Sequence, residues 1–324
     1  MTRKTALVTG AGGFIGGHLT RRLLDDDYMV TAIDRKPKEE WWQYFDDAYN
    51  VTNAMVRNLK LSNILHEIDE VYHLAADMGG IGYISNHFTA CSSNVIDTIH
   101  LLNQCHDGQR VFFASSACVY PQYLQHFAHT VSLKETDVFP ADPEPGYGWE
   151  KLYGELLMKW HRVERNVETR VARYHNVGGP HGSWTGGREK APAAICRKVA
   201  TAKLTGNYHI EIWGDGQQAR SFMDVQDCVT GTLLIARGDY AEPLNLGSDR
   251  WVTVDGLVTI IENIAGITLD RDYRLDAPRG VRGRNSDNTR IREVYGWAPA
   301  SELEEWLVPT YRWVYDQVAK ELTT

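Results

Sequence analysis

Short apolar runs alternate with amphipathic stretches along most of this chain. Thr5-Ala-Leu-Val-Thr9 has the length and composition of a buried strand. Gly10-Ala-Gly-Gly13-Phe-Ile-Gly16 follows at once, and the stretch from His18 to Leu24 is amphipathic. The unit predicted is strand, glycine turn, helix. Met29–Ile33 predicts a second strand, Asp69–Ala76 a third and Arg110–Ala114 a fourth, with a helix from about Asn94 to Cys105 between the last two. A helix from Tyr147 to about Arg165 and a strand at Thr169–Tyr174 continue the rhythm. Such alternation predicts an α/β fold with a doubly wound, Rossmann-type parallel sheet, whose ligands bind beyond the carboxyl ends of the strands. Asp77-Met-Gly-Gly80 and Ser115 to Cys118 fall at such ends. The aromatic and charged segment from Lys36 to Asn53 fits a helix or a loop, with no role assigned.

Beyond Tyr174 the character changes. Cations sit on glycine-rich turns: Arg188 and Lys190 after Gly182–Gly187, Arg220 after Trp213-Gly-Asp-Gly, and Arg282 and Arg284 after Arg279-Gly280. Arg292 to Leu322 predicts a closing pair of helices around the turn Tyr295–Pro299. The expected division is a dinucleotide-binding domain over 1–174, with return segments near 220–250, interleaved with a mainly substrate-binding domain over 175–324.

The glycine turn carries the first chemistry. Gly10 permits a tight turn, Gly13 lets backbone approach a pyrophosphate, and Gly16 lets helix and strand pack closely. Asp34, closing the second strand, stands where an acid receives the adenosine ribose hydroxyls and repels a 2′-phosphate, so NAD is expected over NADP. Arg35 beside it keeps NADP open as the alternative.

Charge and cysteine usage narrow the partners. The net charge is -8 over 324 residues, with a pI near 5.8, which argues against a nucleic-acid or anionic-membrane surface. An anionic small molecule then needs a local basic pocket, and the three basic turns supply one. The 5 cysteines are odd in number and never spaced Cys-x-x-Cys, which suits a reducing compartment. Met1-Thr-Arg-Lys4 leads into a Gly-interrupted segment, and no stretch reaches membrane-spanning length, so a cytoplasmic location is expected. The pairs His126/His129 and His175/His181 lack the accompanying ligands of a metal site, and no metal is expected.

The second chemistry lies in Ser115-Ser116-Ala117-Cys118 and Tyr147-Gly-Trp-Glu-Lys151. One helical turn puts the Lys151 ammonium on the Tyr147 face, where it is expected to favour the ionised phenol. Tyr147 is thus a candidate base, Ser116 a partner for the proton, and Cys118 a thiol able to act on a neighbouring carbon.

Taken together, Gly10/Gly13/Gly16, Asp34, Leu74-Ala-Ala76, Asn94, Ser115-Ser116, Tyr147/Lys151, Asn176, Arg220 and Arg282 resemble the nucleotide-sugar epimerases of the extended short-chain dehydrogenase/reductase superfamily. Four blocks more specifically resemble the GDP-mannose 3,5-epimerase family: Ala75–Gly80, Ser115–Pro121, Gly186–Ala194 and Val281–Asn288. That resemblance implies a GDP-hexose substrate and a transient 4-keto sugar. Cys118 and Lys190 become the acid/base pair at C3 and C5, while Tyr147, Lys151 and Ser116 work with NAD at C4. It also implies cofactor contacts at Gly10, Gly13, Phe14, Ile15, Gly16, Asp34, Asn58, Leu59, Ala75 and Asn94. Substrate contacts are implied at Gly80, Asn176, Lys198, Gln218, Arg220 and Arg282, together with a homodimer built on the Asn94 to Cys105 and Tyr147 to Arg165 helices. Departures exist: Asn58 stands where relatives usually carry an Asp, and Gly178-Gly179 where an aromatic-glycine pair is common. A 4-epimerase, a decarboxylase and a non-catalytic dinucleotide sensor on the same fold are the alternatives. Ala117 and Cys118, in place of an Asp-Glu pair, argue against sugar dehydration.

Overall fold

The structure, a computed structural model, describes residues 3–126, 132–277 and 281–323. His129 and Arg279 of the readings above lie outside the described residues. Strands β1 (Thr5–Thr9), β2 (Met29–Ile33), β3 (Tyr49–Val51), β4 (Glu70–His73), β5 (Arg110–Ser116) and β6 (Glu168–Tyr174) join a short edge strand, Leu244–Leu246, in one sheet. The sheet is parallel throughout, running from that edge strand through β6, β5, β4, β1 and β2 to β3. The strand order reverses direction between β1 and β4, which opens the crevice where ligands of such sheets sit.

Side-chain alternation explains why these runs lie flat between two helical layers. In β1, Ala6 and Val8 turn to one face, among Leu19, Leu23, Val229 and Leu233 of helices Phe14–Asp25 and Val225–Arg237. Leu7 turns to the other, among Leu101, Leu102, Leu157 and Met158 of helices Asn94–Gln104 and Tyr147–Arg165. In β5, Phe112 and Phe113 divide the same way. A separate core lies in the C-terminal part. There Val199, Leu257, Ile261, Leu307 and Val314 bring together helices Ala191–Thr205, Val254–Ala265 and Leu303–Thr323.

Three expected elements change in extent or kind. The strand expected over Asp69–Ala76 is confined to Glu70–His73, because the chain turns into the pocket wall afterwards. Arg110–Ala114 extends to Ser116. After the turn that carries Arg188 and Lys190, a helix begins at Ala191, with Pro192 in its first turn, where a missing N–H costs no hydrogen bond. The unassigned 36–53 segment is neither one helix nor one loop. It makes a single turn at Lys38–Glu40 and returns as β3 on the sheet edge, with Trp41 buried in the core.

Two buried histidines bridge neighbouring strands at the carboxyl edge of the sheet. His73 Nδ1 pairs with Thr9 Oγ1 at 2.8 Å, and His175 Nε2 with Asn245 Oδ1 at 3.2 Å. Burial pushes the pKa of each down to about 3. The folded state therefore holds them neutral, while an unfolded histidine protonates near pH 6.5. Their stabilisation is complete above about pH 6.5 and is lost as pH falls from there towards 3, by about 1.4 kcal/mol per pH unit for each residue. Urea midpoints followed between these limits check this: His73→Gln lowers the slope of unfolding free energy against pH by about 1.4 kcal/mol per unit. An unchanged slope contradicts the assignment.

Candidate active site

β5 ends in Ser116, and the chain leaves the sheet through a tight turn, Ala117–Val119. Ser116 Oγ accepts from the Cys118 backbone N–H at 3.2 Å, which fixes the turn and brings thiol and hydroxyl to the same pocket. The helix carrying Tyr147 approaches this turn very closely. A β-carbon on Gly148 would lie 2.3 Å from the Cys118 carbonyl oxygen, so only glycine admits that approach.

These elements line a cavity of about 480 Å³ between the sheet and the C-terminal core. Ser116, Cys118, Tyr147 and Lys190 meet there, as do Gly80, Asn176, Lys198, Gln218 and Arg220. Asn176 Nδ2 donates to the Ser221 carbonyl at 3.2 Å, Gln218 Nε2 to the Trp213 carbonyl at 2.6 Å, and Lys198 Nζ to the Glu211 carbonyl at 2.5 Å. The Gln218 amide oxygen, Oε1, is buried without a protein partner. Arg282 is elsewhere. It does not line the cavity, and its Nη1 is held by the Asp215 carboxylate at 2.7 and 2.9 Å.

Sequence reasoning singled out Arg282 and passed over Arg284, whose Nη1 donates to Cys118 Sγ at 3.4 Å. Its Nε donates to Gln125 Oε1 at 2.5 Å, and Nη2 lies 3.7 Å from Glu144 Oε2. No local signal separated Arg282 from Arg284: they stand two residues apart, a spacing that puts side chains on one face of a strand, and Arg282 lies just outside the short strand Gly283–Arg284. Arg220 is half-buried beside them, donating to the Ala219 carbonyl at 2.8 Å and to the Val281 carbonyl. Burial and then the Arg284 charge push its pKa down, with the Glu144 charge opposing.

Burial moves two ionisable groups of the cavity. Lys190, immediately before helix Ala191–Thr205, has its ammonium pKa lowered by burial, with the Cys118 charge opposing, so a neutral amine becomes accessible. Tyr147 moves the other way from expectation: burial, with Cys118 and Glu150 behind it, pushes the phenol well above its ordinary value, and the Ser116 hydrogen bond only partly offsets this. Lys151 is buried with its Nζ 5.6 Å from the Tyr147 ring centre and 4.7 Å from that of Phe113. Its nearest charge is Glu150 Oε1 at 3.6 Å, another residue the sequence did not flag. Burial raises the Glu150 pKa, and Lys151 draws it back.

The residues expected at a dinucleotide converge on the ends of β1, β2 and β4. Phe14 and Ile15 open the helix after the glycine turn, where a β-carbon on Gly16 would lie 2.1 Å from the Gly10 carbonyl oxygen. Asp34 is buried; its Oδ2 accepts from Gly12 N and its Oδ1 from Lys36 N, both at 3.0 Å. Ala75 N donates to Thr9 Oγ1 at 3.2 Å, Asn58 and Leu59 close a turn after β3, and Asn94 brackets the Asp77 backbone. Trp41 closes this region from outside, with its ring where a Gly12 β-carbon would be. The cradle fits a dinucleotide: the amides of Gly10 to Gly13 are used within the turn, which leaves the first amides of helix Phe14–Asp25 for a pyrophosphate, with the Asp34 carboxylate for the ribose.

A sequence profile of the NAD dependent epimerase/dehydratase family matches residues 6–247. GDP-mannose 3,5-epimerase 1 of Oryza sativa subsp. indica is 42% identical over 98% of this chain and 83% of its own length. GDP-mannose 3,5-epimerase of Arabidopsis thaliana is 41% identical over 97% of this chain and 83% of its own. Among solved structures, a UDP-glucose 4-epimerase of Thermotoga maritima crystallised with UDP-glucose superposes with a TM-score of 0.84, at 25% identity, covering 97% of this chain and 99% of that one. The glycine cradle is tested directly by Gly16→Ala, expected to cost about 1–3 kcal/mol in urea unfolding because backbone must move. A cost near zero contradicts the packing described.

Proposed function

The chain belongs to the NAD dependent epimerase/dehydratase family, and from that premise we propose that it is a nucleotide-sugar epimerase acting on GDP-mannose. It inverts C3, C5 or both, towards GDP-L-galactose and GDP-L-gulose, through a transient 4-keto sugar. The observation carrying this reading is that Cys118 and Lys190 share one cavity with Ser116 and Tyr147. Gly10, Gly13, Gly16 and Asp34 would hold NAD, with Asn94, Tyr147 and Lys151 at its reactive end. The chemistry that bound NAD supplies is acceptance of the C4 hydride and its later return.

Every other step falls to this chain's own groups. Ser116 orients the C4 hydroxyl, and Tyr147 accepts its proton; Lys151 adds positive charge beside the phenol, whose pKa must fall for this to happen. The resulting carbonyl acidifies the hydrogens on C3 and C5. The Cys118 thiol passes its proton to the Lys190 amine; the thiolate then removes the C5 proton from one face, the ammonium delivers one to the other, and the same pair serves C3. Inversion needs two groups on opposite faces, and a thiol and an amine from separate segments meet that need. Arg284 holds the thiol in place. Gly80, Asn176, Lys198, Gln218 and Arg220 take the sugar and its diphosphate, whereas Arg282 reaches a ligand only by leaving Asp215. Residues 1–174 then form the cofactor half, and 175–324 mainly the substrate half.

Incubation with GDP-mannose in deuterated water is expected to load deuterium at C3 or C5, and Cys118→Ala to slow that loading by at least about a hundredfold while C4 oxidation persists. Mass spectrometry of the recovered sugar reads the first, NADH absorbance the second. Absence of label from both carbons with the unaltered protein refutes the reading.

The same reading includes a homodimer in the cytoplasm. Trp149, Tyr153, Trp160 and Val163 form an exposed stripe along helix Tyr147–Arg165, beside exposed Phe88 and Ile96. Such a face on two packed helices suits burial against its own copy. All 5 cysteines are free, consistent with a reducing compartment, and no helix among the described residues is long and apolar enough to cross a membrane. Sedimentation at micromolar concentration is expected to show a dimer, and Trp160→Glu a monomer; a monomer for both contradicts the interface.

A further inference from the structure

The segment bearing Lys190 is docked onto the connection after β4 through one side chain. Arg188 Nη1 donates to Asp77 Oδ1 at 2.8 Å and to the Met78 carbonyl at 3.0 Å. Its guanidinium carbon stands 3.7 Å from the centre of the Tyr83 ring, and its own carbonyl accepts from Gly80 N at 3.0 Å. The anchor beneath is fixed. Asp77 N donates to Asn94 Oδ1 at 2.6 Å, Asn94 Nδ2 donates to the Asp77 carbonyl at 3.1 Å, and the carboxylate also takes Tyr83 OH at 3.0 Å and Arg35 Nη1 at 3.2 Å.

Upstream of Arg188 the next anchor is Trp184, buried in the C-terminal core with its carbonyl accepting from Arg197 Nε at 3.0 Å, and downstream Glu189 pairs with Arg197 Nη2 at 3.1 Å. Gly186 and Gly187 adopt φ of +82° and +80°, and a β-carbon on either would meet no atom within 4 Å. Downstream, Lys190 precedes a helix rigid from Ala191. The amine's place relative to Cys118 therefore depends on where Arg188 is held. Neither Asp77 nor Arg188 lines the cavity, so neither touches a reacting atom there. Burial raises the Asp77 pKa, but the Arg188 hydrogen bond and the Arg35 charge outweigh it, keeping the carboxylate ionised and the latch charged.

We infer that Asp77 is a positioning residue that, through Arg188, sets Lys190 against Cys118, and that Arg35, next to the cofactor-side Asp34, shares the same carboxylate and couples the two halves of the site. The inference rests on the acid/base role proposed above for Lys190. Its chemical consequence is selective: hydride transfer at C4 depends on Tyr147 and Ser116, whereas proton delivery beside C4 depends on the latch.

Asp77→Asn and Arg188→Gln, each in the full chain, test it, the second guarding against misfolding in the first. Backbone amide exchange over residues 183–190 is expected to quicken by roughly tenfold. With GDP-mannose in deuterated water, single-turnover NADH formation stays within about threefold of the unaltered protein, while deuterium entry at C3 or C5 drops roughly a hundredfold, the cost of a misplaced group. Unchanged amide exchange overturns the latch; so does a parallel loss of NADH formation and deuterium entry, or full deuterium entry despite a loosened segment. Absence of deuterium entry in the unaltered protein refutes the proposed function instead, and amide exchange alone then decides the docking.

Discussion

The arrangement of the site depends on a buried ion pair beneath it. Arg173, next to the carboxyl end of β6, meets Glu155 on helix Tyr147–Arg165 through two parallel bonds of 2.9 and 2.8 Å, and both side chains are almost fully enclosed. The attraction of Glu155 outweighs burial and holds the guanidinium above its ordinary pKa. The pair is not isolated. Ser115 Oγ donates to Glu155 at 2.5 Å, and Arg173 Nη1 donates to Tyr120 OH at 3.2 Å; Tyr120 OH in turn donates to Asn245 Oδ1 at 2.6 Å. Asn245 Nδ2 reaches the carbonyls of Leu133 and Asp287. One network therefore fixes both ends of the Ser115–Tyr120 stretch, the helix that begins at Tyr147, and the strand end next to Arg284. Removing either charge would strand the other in the interior, at about 3–5 kcal/mol.

Above that floor, the cavity is apolar enough to move both proton carriers towards their neutral forms: the Tyr147 phenol upward, the Lys190 ammonium downward. A neutral amine suits proton exchange with a thiol. A phenol held protonated suits return of a proton to C4, and its ionisation needs positive charge brought close by a ligand as well as by Lys151. Arg220 and Arg284 face the same space beside Glu144, and a diphosphate there would offset their mutual repulsion further. Geometry and electrostatics thus favour the same occupant.

Much of this was legible along the chain because it rests on local periodicity. The short apolar runs of β1, β2 and β5 and the glycines at 10, 13 and 16 need only neighbours in sequence to be understood. What escaped reading depends on which distant segment packs opposite. Glu150 and Glu155 look like ordinary helix surface charges until helix Tyr147–Arg165 is laid against the sheet. Arg173 looks like an interruption of an apolar strand, yet it is satisfied by a helix residue 18 positions away. Arg282 and Arg284 are indistinguishable by composition, and only the pairing of Gly283 and Arg284 with Ala219 and Arg220 separates them. The expected effect of Lys151 on Tyr147 followed from helix spacing alone; it omitted burial, which dominates once the pocket is closed over.

The central claim is that a thiol and an amine stand on opposite faces of a sugar ring whose C4 lies at Tyr147. A crystal structure of Tyr147→Phe with NAD and GDP-mannose bound measures it most directly. The account predicts Cys118 Sγ and Lys190 Nζ on opposite faces of the ring, each within roughly 3.5 Å of the carbon or hydrogen it serves. Both groups on one face, or either outside the cavity, would contradict it.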